Sequence, residues 1–381
     1  MTTLAVHNGV PPEWTGLARA GPIFTSPGWL RAMHGRLGAE ARTFVVHDRG
    51  RPVLAVAATV QCRPRPGEFF DLHHVLISPA PALPYTGATR TRRAALAAAA
   101  PSPPRWLPSL VVMLPGYECV PVGDDSYTDD MVRAVQQWAD EHALRTVAYL
   151  YVRPDAVALR AALDRHRYDI MPVSVTWDMP VDAGGLHAHL ARLPRKRSTE
   201  ARRELARLAE SGVSIGPLDP DRTAAAFHRL VDLRCQLVRK YRGTADVAVE
   251  RFRLRALIDD VCGGDPLIVT ATAGPDILGF ALFAPWADDW HCLAVGFDYT
   301  DPRSRYAYFA TTYYGVVPLA AAAGVRRIGY GQGAADAKRN RGCIATPLSA
   351  HLRTKDPALA GAFRASAAVT ALNVAALTGA R

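Results

Sequence analysis

The sequence lacks closely spaced cysteine pairs. It contains six cysteines, and no C-x-x-C pair occurs among Cys62, Cys119, Cys235, Cys262, Cys292 and Cys343. Structural zinc sites draw on such pairs, and disulfide frameworks are typical of small secreted domains. We therefore expect reduced, mostly buried thiols. Asp71, His73 and His74 are of types that can bind a metal ion, but adjacent histidines in a strand point to opposite faces. We therefore predict no metal site.

Membrane-directing segments are also missing. The segment Met1–Val10 lacks the basic start and following apolar run of a secretory signal. No stretch of about 18 uncharged apolar residues occurs, which is the length that a membrane-spanning helix needs. The sequence therefore predicts a cytoplasmic protein without membrane contact.

Several signatures of catalysis and nucleotide binding are absent as well. The chain has no G-x-S-x-G elbow and no Ser-His-Asp signature. It has no Walker loop, and Asp336 stands where the dinucleotide fingerprint G-x-G-x-x-G requires its third glycine. The sequence therefore contains no motif that is typical of serine hydrolases, P-loop proteins or dinucleotide-binding proteins.

What the chain does contain indicates a globular protein of two domains. It has 381 residues, of which 49% are hydrophobic, and this is enough for two packed cores. The formal net charge of +10 favours contact with anions such as nucleic acid or phosphorylated ligands. A solvated basic surface explains the charge equally well, so composition leaves both interpretations open.

The order of predicted elements occurs twice. The first half predicts three strands, a helix and a strand, at Thr43–His47, Val53–Val60, Leu110–Met113, Asp129–Ala143 and Thr146–Val152. The second half predicts the same order at Leu267–Ala273, Leu278–Ala284, Trp290–Gly296, Tyr306–Ala323 and Arg326–Tyr330. Pro180, Gly184 and Gly185 interrupt the periodicity between the halves. We therefore predict two domains, 1–179 and 180–381.

A glycine-rich loop follows the last of these strands. Gly331, Gln332 and Gly333 form part of it, and alternating glycines let a backbone approach a ligand closely. Lys338 and Arg341 follow, and their charges can hold a phosphate or stabilise an oxyanion. The loop therefore predicts a substrate site. The alternative is a flexible connection with solvated basic residues.

A basic segment occupies the predicted helix pair 186–211. Cations are concentrated at Arg195, Lys196, Arg197, Arg202 and Arg203. Arg195 and Arg202 share one side at helical spacing, so the segment can meet a phosphate backbone. The alternative is a solvated helix face on which Glu200 and Glu204 pair with neighbouring arginines.

Aromatic and acidic residues near strand ends complete the candidate site. The predicted substrate-contacting residues are aromatic: Tyr85, Trp290, Tyr313 and Tyr314. An amine that attacks a carbonyl must lose a proton, and a carboxylate or a histidine such as His291 can accept it. Asp298 and Asp336 are the predicted proton acceptors or amine-orienting groups. Core packing is the alternative for each of these residues taken singly.

The C-terminal motifs resemble those of one protein family. In chain order they are Tyr313-Tyr314-Gly315, Gly331-Gln332-Gly333, Ala337-Lys338, Arg341-Gly342 and Ser349-Ala350-His351. This series is similar to Y-Y-x-x-I/V, G-A-Q-G-x-x-K, R-G-F and S-A-H of the FemAB-like, peptidoglycan-biosynthesis-type branch of the GNAT acyltransferases. The segment Leu190–Gly212 resembles the K-R-x-x-x-R-R-E-R helix of that branch.

The resemblance implies an α/β fold of two tandem GNAT-like domains, each a mixed, mostly antiparallel sheet flanked by helices. It also implies transfer of an aminoacyl group from aminoacyl-tRNA to an amine, without a permanently bound cofactor. Lys338 then has a catalytic role beside Asp298 or Asp336, and tRNA is the expected macromolecular partner. We expect direct transfer, because no nucleophile motif is present, and a monomer or homodimer.

The chain departs from the family pattern at several positions. Gly329-Tyr330-Gly331 replaces E-P-G-A, Cys343 stands where phenylalanine is common, and the segment 195–212 is too short for a coiled-coil arm. These departures favour a small-molecule amine acceptor over a cell-wall precursor. The CoA pyrophosphate loop Q/R-x-x-G-x-G/A is missing too. An acyl-CoA-dependent N-acyltransferase and a non-catalytic GNAT-like binding module remain the alternatives.

Overall fold

The computed structural model describes residues 2–37, 40–78, 87–115 and 118–379. Its strands are β1 (Thr2–His7), β2 (Ala41–Asp48), β3 (Arg51–Gln61), β4 (Ser109–Val112), β5 (Val122–Gly123), β6 (Thr146–Val152), β7 (Asp169–Pro180), β8 (Ser214–Pro217), β9 (Leu267–Ala273), β10 (Asp276–Trp286), β11 (Asp289–Phe297), β12 (Arg327–Gly331) and β13 (Ile344–Thr354).

The α-helices are α1 (Glu13–Leu17), α2 (Pro27–Leu37), α3 (Leu72–Leu76), α4 (Gly87–Ala99), α5 (Thr128–Glu141), α6 (Val157–Arg165), α7 (Gly185–Arg192), α8 (Arg195–Glu210), α9 (Thr223–Arg242), α10 (Val247–Ala256), α11 (Ala307–Phe309), α12 (Val316–Ala322), α13 (Ala335–Asn340) and α14 (Pro357–Thr378). Single π-helical turns follow α10 and α11, at Leu257–Val261 and Ala310–Tyr314.

The chain forms two compact units whose boundaries fall inside β7 and β13. Unit 1 comprises Met1–Thr176 and Ala345–Arg381, and unit 2 comprises Trp177–Ile344. The predicted division at residue 179 lies close to the first boundary. The prediction that the second domain runs on to residue 381 differs from the structure, because β13 pairs with β6 and α14 packs into the core of unit 1.

Unit 1 is built on a mixed sheet with the strand order β1-β2-β3-β4-β6-β13-β7, and β5 pairs with β3. The hairpin of β2 and β3 turns at Arg49 and Gly50, which both have positive φ, as a two-residue turn between twisted strands requires. The pair β4·β6 is parallel, and α5 makes the crossover between its strands. The hairpin, the helix α5 and the strand β6 were all predicted from the sequence.

The C-terminal segment of unit 1 is held by both apolar and polar contacts. Leu359 and Phe363 of α14 lie fully buried in a core cluster of unit 1. The Arg93 guanidinium on α4 is buried and donates to the side chains of Ser366 (2.5 Å) and Thr370 (2.9 Å) on α14. These contacts make residues 345–379 an integral part of unit 1.

The helix α14 also has the length and apolar composition of a membrane span. Length and composition alone give weak support for that role, because the core helix of a globular unit has the same properties. The sequence analysis considered only stretches without a charged residue. It therefore did not identify Pro357–Thr378, which contains Arg364.

Unit 2 repeats the arrangement of unit 1. Its strand order is β7-β12-β11-β10-β9-β8, in which only the pair β11·β12 is parallel. In both units a three-stranded antiparallel meander leads through helices to a strand that lies parallel to the last strand of the meander. The predicted α/β fold with two units of the same topology is confirmed.

Candidate functional site

The parallel strands β11 and β12 of unit 2 pair over a short stretch and then separate. Their register runs from Asp289↔Arg327 to His291↔Gly329, whereas β11 continues to Phe297. At this level the register of β11 against β10 shifts, so that Leu293 is an extra, bulged residue. A bulge bends a strand and ends regular pairing. The two strands therefore diverge directly beyond His291 and Gly329, and the predicted glycine loop begins at this point.

Lys338 lies on α13 and holds this glycine loop from within. Its Nζ donates to three consecutive backbone carbonyls, those of Tyr330 (2.8 Å), Gly331 (2.9 Å) and Gln332 (2.9 Å). An ammonium has three protons, so all of its donors are used. Positive φ angles at Gly331 and Gly333, 61° and 78°, produce the turn that brings these carbonyls together.

The loop thereby presents two different sides. In a trans peptide the N–H points away from the C=O, so the amide hydrogens of residues 331–333 are directed away from Lys338. The sequence predicts that Lys338 and the glycine loop contribute to one substrate site, but Nζ and the loop amide hydrogens lie on opposite sides of the backbone. Lys338 is 5% exposed, and burial lowers its pKa to about 8. Lys338 therefore positions the loop.

Arg341 is committed to a buried network with α8. Its guanidinium donates to Glu204 Oε1 (2.6 Å) and Tyr314 Oη (3.2 Å), and it lies 3.6 Å from the ring centroid of Phe309. The Tyr314 hydroxyl donates to Glu204 Oε2 at 2.9 Å. Glu204 therefore forms a long-range ion pair, and the expectation of a pair with a neighbouring arginine is wrong for this residue.

The tyrosines at the predicted site pack in the interior of unit 2. Tyr313 and Tyr314 are fully buried, and the Tyr330 hydroxyl donates to the Thr312 carbonyl at 2.6 Å. The hydroxyls of Tyr308 and Tyr313 lie 3.1 Å apart, and burial raises the pKa of Tyr308 to about 12. These rings stabilise the helices on the sheet. Trp290 is also buried, and Tyr85 lies outside the described residues.

The two predicted carboxylates, Asp298 and Asp336, lie in different environments. Burial raises the pKa of Asp298, but hydrogen bonds from Thr300 and Arg229 outweigh it and bring the pKa to about 2. The Asp298 carboxylate also accepts the backbone N–H groups of Thr300 and Asp301. The side chain of Asp336 is 90% exposed and lies 3.7 Å from Arg339.

A row of polar side chains crosses the sheet where the strands separate. Asp178, Gly329 and His291 are register partners on β7, β12 and β11, so their side chains share one face. A Cβ at Gly329 would lie 2.6 Å from His291 Nδ1 and 3.5 Å from Asp178 Oδ1, so glycine is needed here. Arg327 beside them makes ion pairs with Asp289 and Asp178. The register of the strands reveals this row, and the sequence alone did not.

Thiol chemistry is not favoured at this opening. Burial raises the pKa of the Cys292 thiol to about 12, so it stays protonated at neutral pH. A thiolate is the nucleophilic form of cysteine.

His291 and His351 lead to a prediction about pH. Burial lowers the pKa of both to about 4, against 6.5 in the unfolded chain. Below pH 6.5 the unfolded state takes up protons that the folded state does not, so stability is lost as pH falls from 6.5 to 4. Each histidine contributes about 3 kcal/mol to this loss. Urea unfolding between about pH 7.5 and about pH 4.5 measures it.

The matched control for this prediction is His228, whose side chain is 74% exposed. His291→Phe is expected to flatten the pH dependence of unfolding of unit 2, whereas His228→Gln should leave it unchanged. An equal slope in the wild type and in His291→Phe would remove His291 as its origin.

The basic helix α8 presents most of its cations to solvent. Arg195, Lys196, Arg202 and Arg203 are exposed. Arg197 donates to Glu200 at 2.8 Å, so the expected local pair forms at this position. The exposed cations leave a basic face on the same helix whose Glu204 anchors Arg341.

Asp71, considered above as a metal ligand, has hydrogen-bonding partners within the protein. Its carboxylate caps α3 by accepting the His74 N–H (2.8 Å) and also accepts from Gln61 Nε2 (3.1 Å). Among the described residues no group of three or more His, Cys, Asp or Glu side chains is arranged to hold a metal ion.

No family model matches the chain, and no curated protein matches it. Among solved structures, the C-terminal domain of a putative lysylphosphatidylglycerol synthetase from Agrobacterium fabrum superposes with a TM-score of 0.56 at 12% identity, covering 92% of this chain and 93% of that chain. FemX superposes with a TM-score of 0.54 at 11% identity, covering 91% and 96%. A tandem GNAT protein from the clavulanic acid biosynthesis pathway has a TM-score of 0.42 at 13% identity, covering 94% and 99%. The first two likenesses extend over nearly the whole chain, and the protein therefore has the GNAT-type fold that the C-terminal motifs imply.

Proposed function

We propose that this protein is an acyltransferase of the FemAB-like branch that transfers an aminoacyl group from aminoacyl-tRNA to the amine of a small molecule. The observation that carries the proposal is the separation of β11 and β12 beside a loop that Lys338 fixes. An extended acyl chain fits between diverging parallel strands, because each strand has backbone groups that no longer pair with the other. FemX and the synthetase domain share this fold.

The reaction joins the acceptor nitrogen to the acyl carbon. The amine attacks the ester carbonyl, the bond from the carbonyl carbon to the ribose oxygen breaks, and the amine gives up one proton. The ribose oxygen gains a proton as it leaves, so the proton balance closes. The amide hydrogen of Gly333 lies on the side of the loop away from Lys338, where it is suited to stabilise the developing oxyanion.

His291 is the candidate proton acceptor that lies where β11 and β12 separate. Burial lowers its pKa to about 4, so it is neutral at physiological pH, whereas the Asp298 carboxylate is fully engaged. His291 is also the last β11 residue that pairs with β12. We assign it the role of accepting the amine proton at the point where the strands separate.

The loop after β11 argues against CoA as the donor. A CoA pyrophosphate binds backbone N–H groups at a helix start. Here the N–H groups of Thr300 (2.9 Å) and Asp301 (3.2 Å) donate to the Asp298 carboxylate instead. An anionic pyrophosphate would have to displace this carboxylate, which supports a donor that binds elsewhere.

The donor assay separates the three hypotheses. Purified full-length protein is incubated with a charged tRNA pool or with acyl-CoA, and with a panel of free amino acids and small alkylamines as probe acceptors. Mass spectrometry is expected to detect a new amide only with charged tRNA, and RNase treatment should abolish it. An amide formed from acyl-CoA would establish the CoA alternative. Consumption of neither donor would favour a binding module.

The exposed cations of α8 give a second test. Arg202→Glu with Arg203→Glu is expected to weaken tRNA binding by about tenfold. The slope of the logarithm of the affinity against the logarithm of the salt concentration should become shallower by about two, because two phosphate contacts are lost. Arg92→Glu with Arg145→Glu, which changes two exposed arginines of unit 1, is the charge-matched control. Equal loss in both double variants would show that only net charge matters.

A further inference from the structure

The helices α9 and α10 of unit 2 form an antiparallel hairpin. Arg234 on α9 donates to Glu250 on α10 at 3.2 Å, and Arg255 lies 4.2 Å from the ring centroid of Phe227. Because the later residue of α9 meets the earlier residue of α10, the connection 243–246 is the tip of the hairpin. None of the candidate catalytic residues described above lies in the tip or in the helix ends beside it, residues 239–252.

Large apolar side chains are concentrated at this tip and exposed to solvent. Five of the nine exposed large hydrophobic residues of the described chain lie here: Tyr241 (75% exposed), Phe252 (65%), Tyr299 (42%), Val249 (40%) and Val247 (39%). Tyr299 belongs to the group through Lys240, whose Nζ lies 3.9 Å from its ring centroid and 5.9 Å from that of Tyr241. Such a concentration on a protein surface indicates an interaction site.

Cations surround these side chains, and the nearby acids are already engaged. The exposed cations are Arg239, Lys240, Arg242 and Arg251. Asp246 caps α10 by accepting the N–H groups of Ala248 (2.9 Å) and Val249 (3.2 Å). Glu250 is buried and binds Arg234 and Arg253. Residues 239–252 together with Tyr299, here called the hairpin patch, therefore combine exposed apolar groups with a basic rim.

We propose that the hairpin patch docks on the surface of an anionic lipid bilayer. Tyrosine and phenylalanine with flanking lysine and arginine are the residues that settle at the boundary between lipid chains and headgroups. The cations add attraction to anionic headgroups. Single-stranded nucleic acid is the other anion that aromatic and basic residues bind, through base stacking. Val247 and Val249 have no ring on which a base can stack, so the patch fits lipid better.

This inference is independent of the proposed acyl transfer and departs from the sequence-based expectation of no membrane contact. Tyr299 follows closely after the end of β11, so a docked patch would bring the membrane near the strand that lines the catalytic opening. An amine acceptor that is concentrated at a lipid surface would then be within reach of the site.

Vesicle cosedimentation of the full-length chain tests the proposal. The chain is expected to bind vesicles of phosphatidylcholine with added phosphatidylglycerol, to bind pure phosphatidylcholine weakly, and to lose binding as salt is raised. Tyr241→Ser with Phe252→Ser should weaken binding at least about tenfold, because two exposed rings are removed from the contact. Arg239→Gln with Arg242→Gln should weaken binding only to the anionic vesicles.

The matched control uses exposed hydrophobic residues outside the patch, Val157→Ser with Ile170→Ser in unit 1. It should bind vesicles like the wild type. The proposal is overturned if the wild type does not bind anionic vesicles, or if the control loses as much binding as the patch variant. It is also overturned if the patch variant keeps vesicle binding but loses tRNA binding. The donor assay reports separately on acyl transfer.

Discussion

Replacing Lys338 by methionine is expected to lower turnover by about a hundredfold to a thousandfold while both units remain folded. The three carbonyls of residues 330–332 that bind Nζ lose their donor, so the loop no longer has a fixed path. The Gly333 amide then loses the orientation that stabilises an oxyanion. Amide hydrogen exchange in the loop and in α13 should accelerate in parallel.

A pH profile distinguishes this positioning role from a purely structural one. Because burial lowers the pKa of Lys338 to about 8, the activity of the wild type should fall as pH rises through that value and the ammonium is lost. Lys338→Met should lack this basic limb. The role assigned to Lys338 would be wrong if the variant kept wild-type turnover, or if the limb persisted without the lysine.

Arg341→Ala is expected to destabilise unit 2 by about 3–5 kcal/mol, because it leaves the buried Glu204 carboxylate without its cation. The Tyr314 hydroxyl alone remains to bind that charge. Chemical denaturation followed by tryptophan fluorescence measures the change, with Trp177 and Trp290 as reporters within unit 2. A loss below about 1 kcal/mol would contradict the buried network.

The same helix supplies the control. Arg197→Ala breaks an exposed pair with Glu200 and should cost about 0.5 kcal/mol or less. The double variant Glu204→Leu with Arg341→Met removes both charges from the interior and should recover most of the stability that Arg341→Ala loses. A double variant as unstable as the single one would indicate that lost packing, and not an unpaired charge, causes the defect.

Local patterns in the sequence predicted most of the elements that form the two meanders. The turn Asp48-Arg49-Gly50 between two apolar segments predicted β2 and β3, and the turn at Gly274 predicted β9 and β10. Helix α14 was not predicted, because its own small apolar residues occur on all of its sides and no polar face reveals the helical period. Helix α4 was not predicted, because it lies between proline-containing segments that are typical of loops.

Long-range pairing could not be predicted from local patterns. The pairing of β13 with β6 joins Ser349 to Val152, and no short motif encodes this contact. The same limit applied to the site. The motifs identified Lys338 and Arg341 as special, but the partner of Arg341 lies 137 residues away in the chain. The sequence therefore predicted that Lys338 and Arg341 bind a ligand, whereas in the structure their charged groups bind backbone carbonyls and Glu204.

The interrupted sequence of unit 1 has a consequence for synthesis on the ribosome. Unit 2 is continuous, from Trp177 to Ile344, and its residues emerge from the exit tunnel before β13. During that interval the edge of β6 that will receive β13 is open, and the place of Leu359 and Phe363 is exposed. An open strand edge beside an incomplete core is a template for association between nascent chains. Residues 345–379, which are translated after unit 2, therefore complete the unit that precedes unit 2 in the chain.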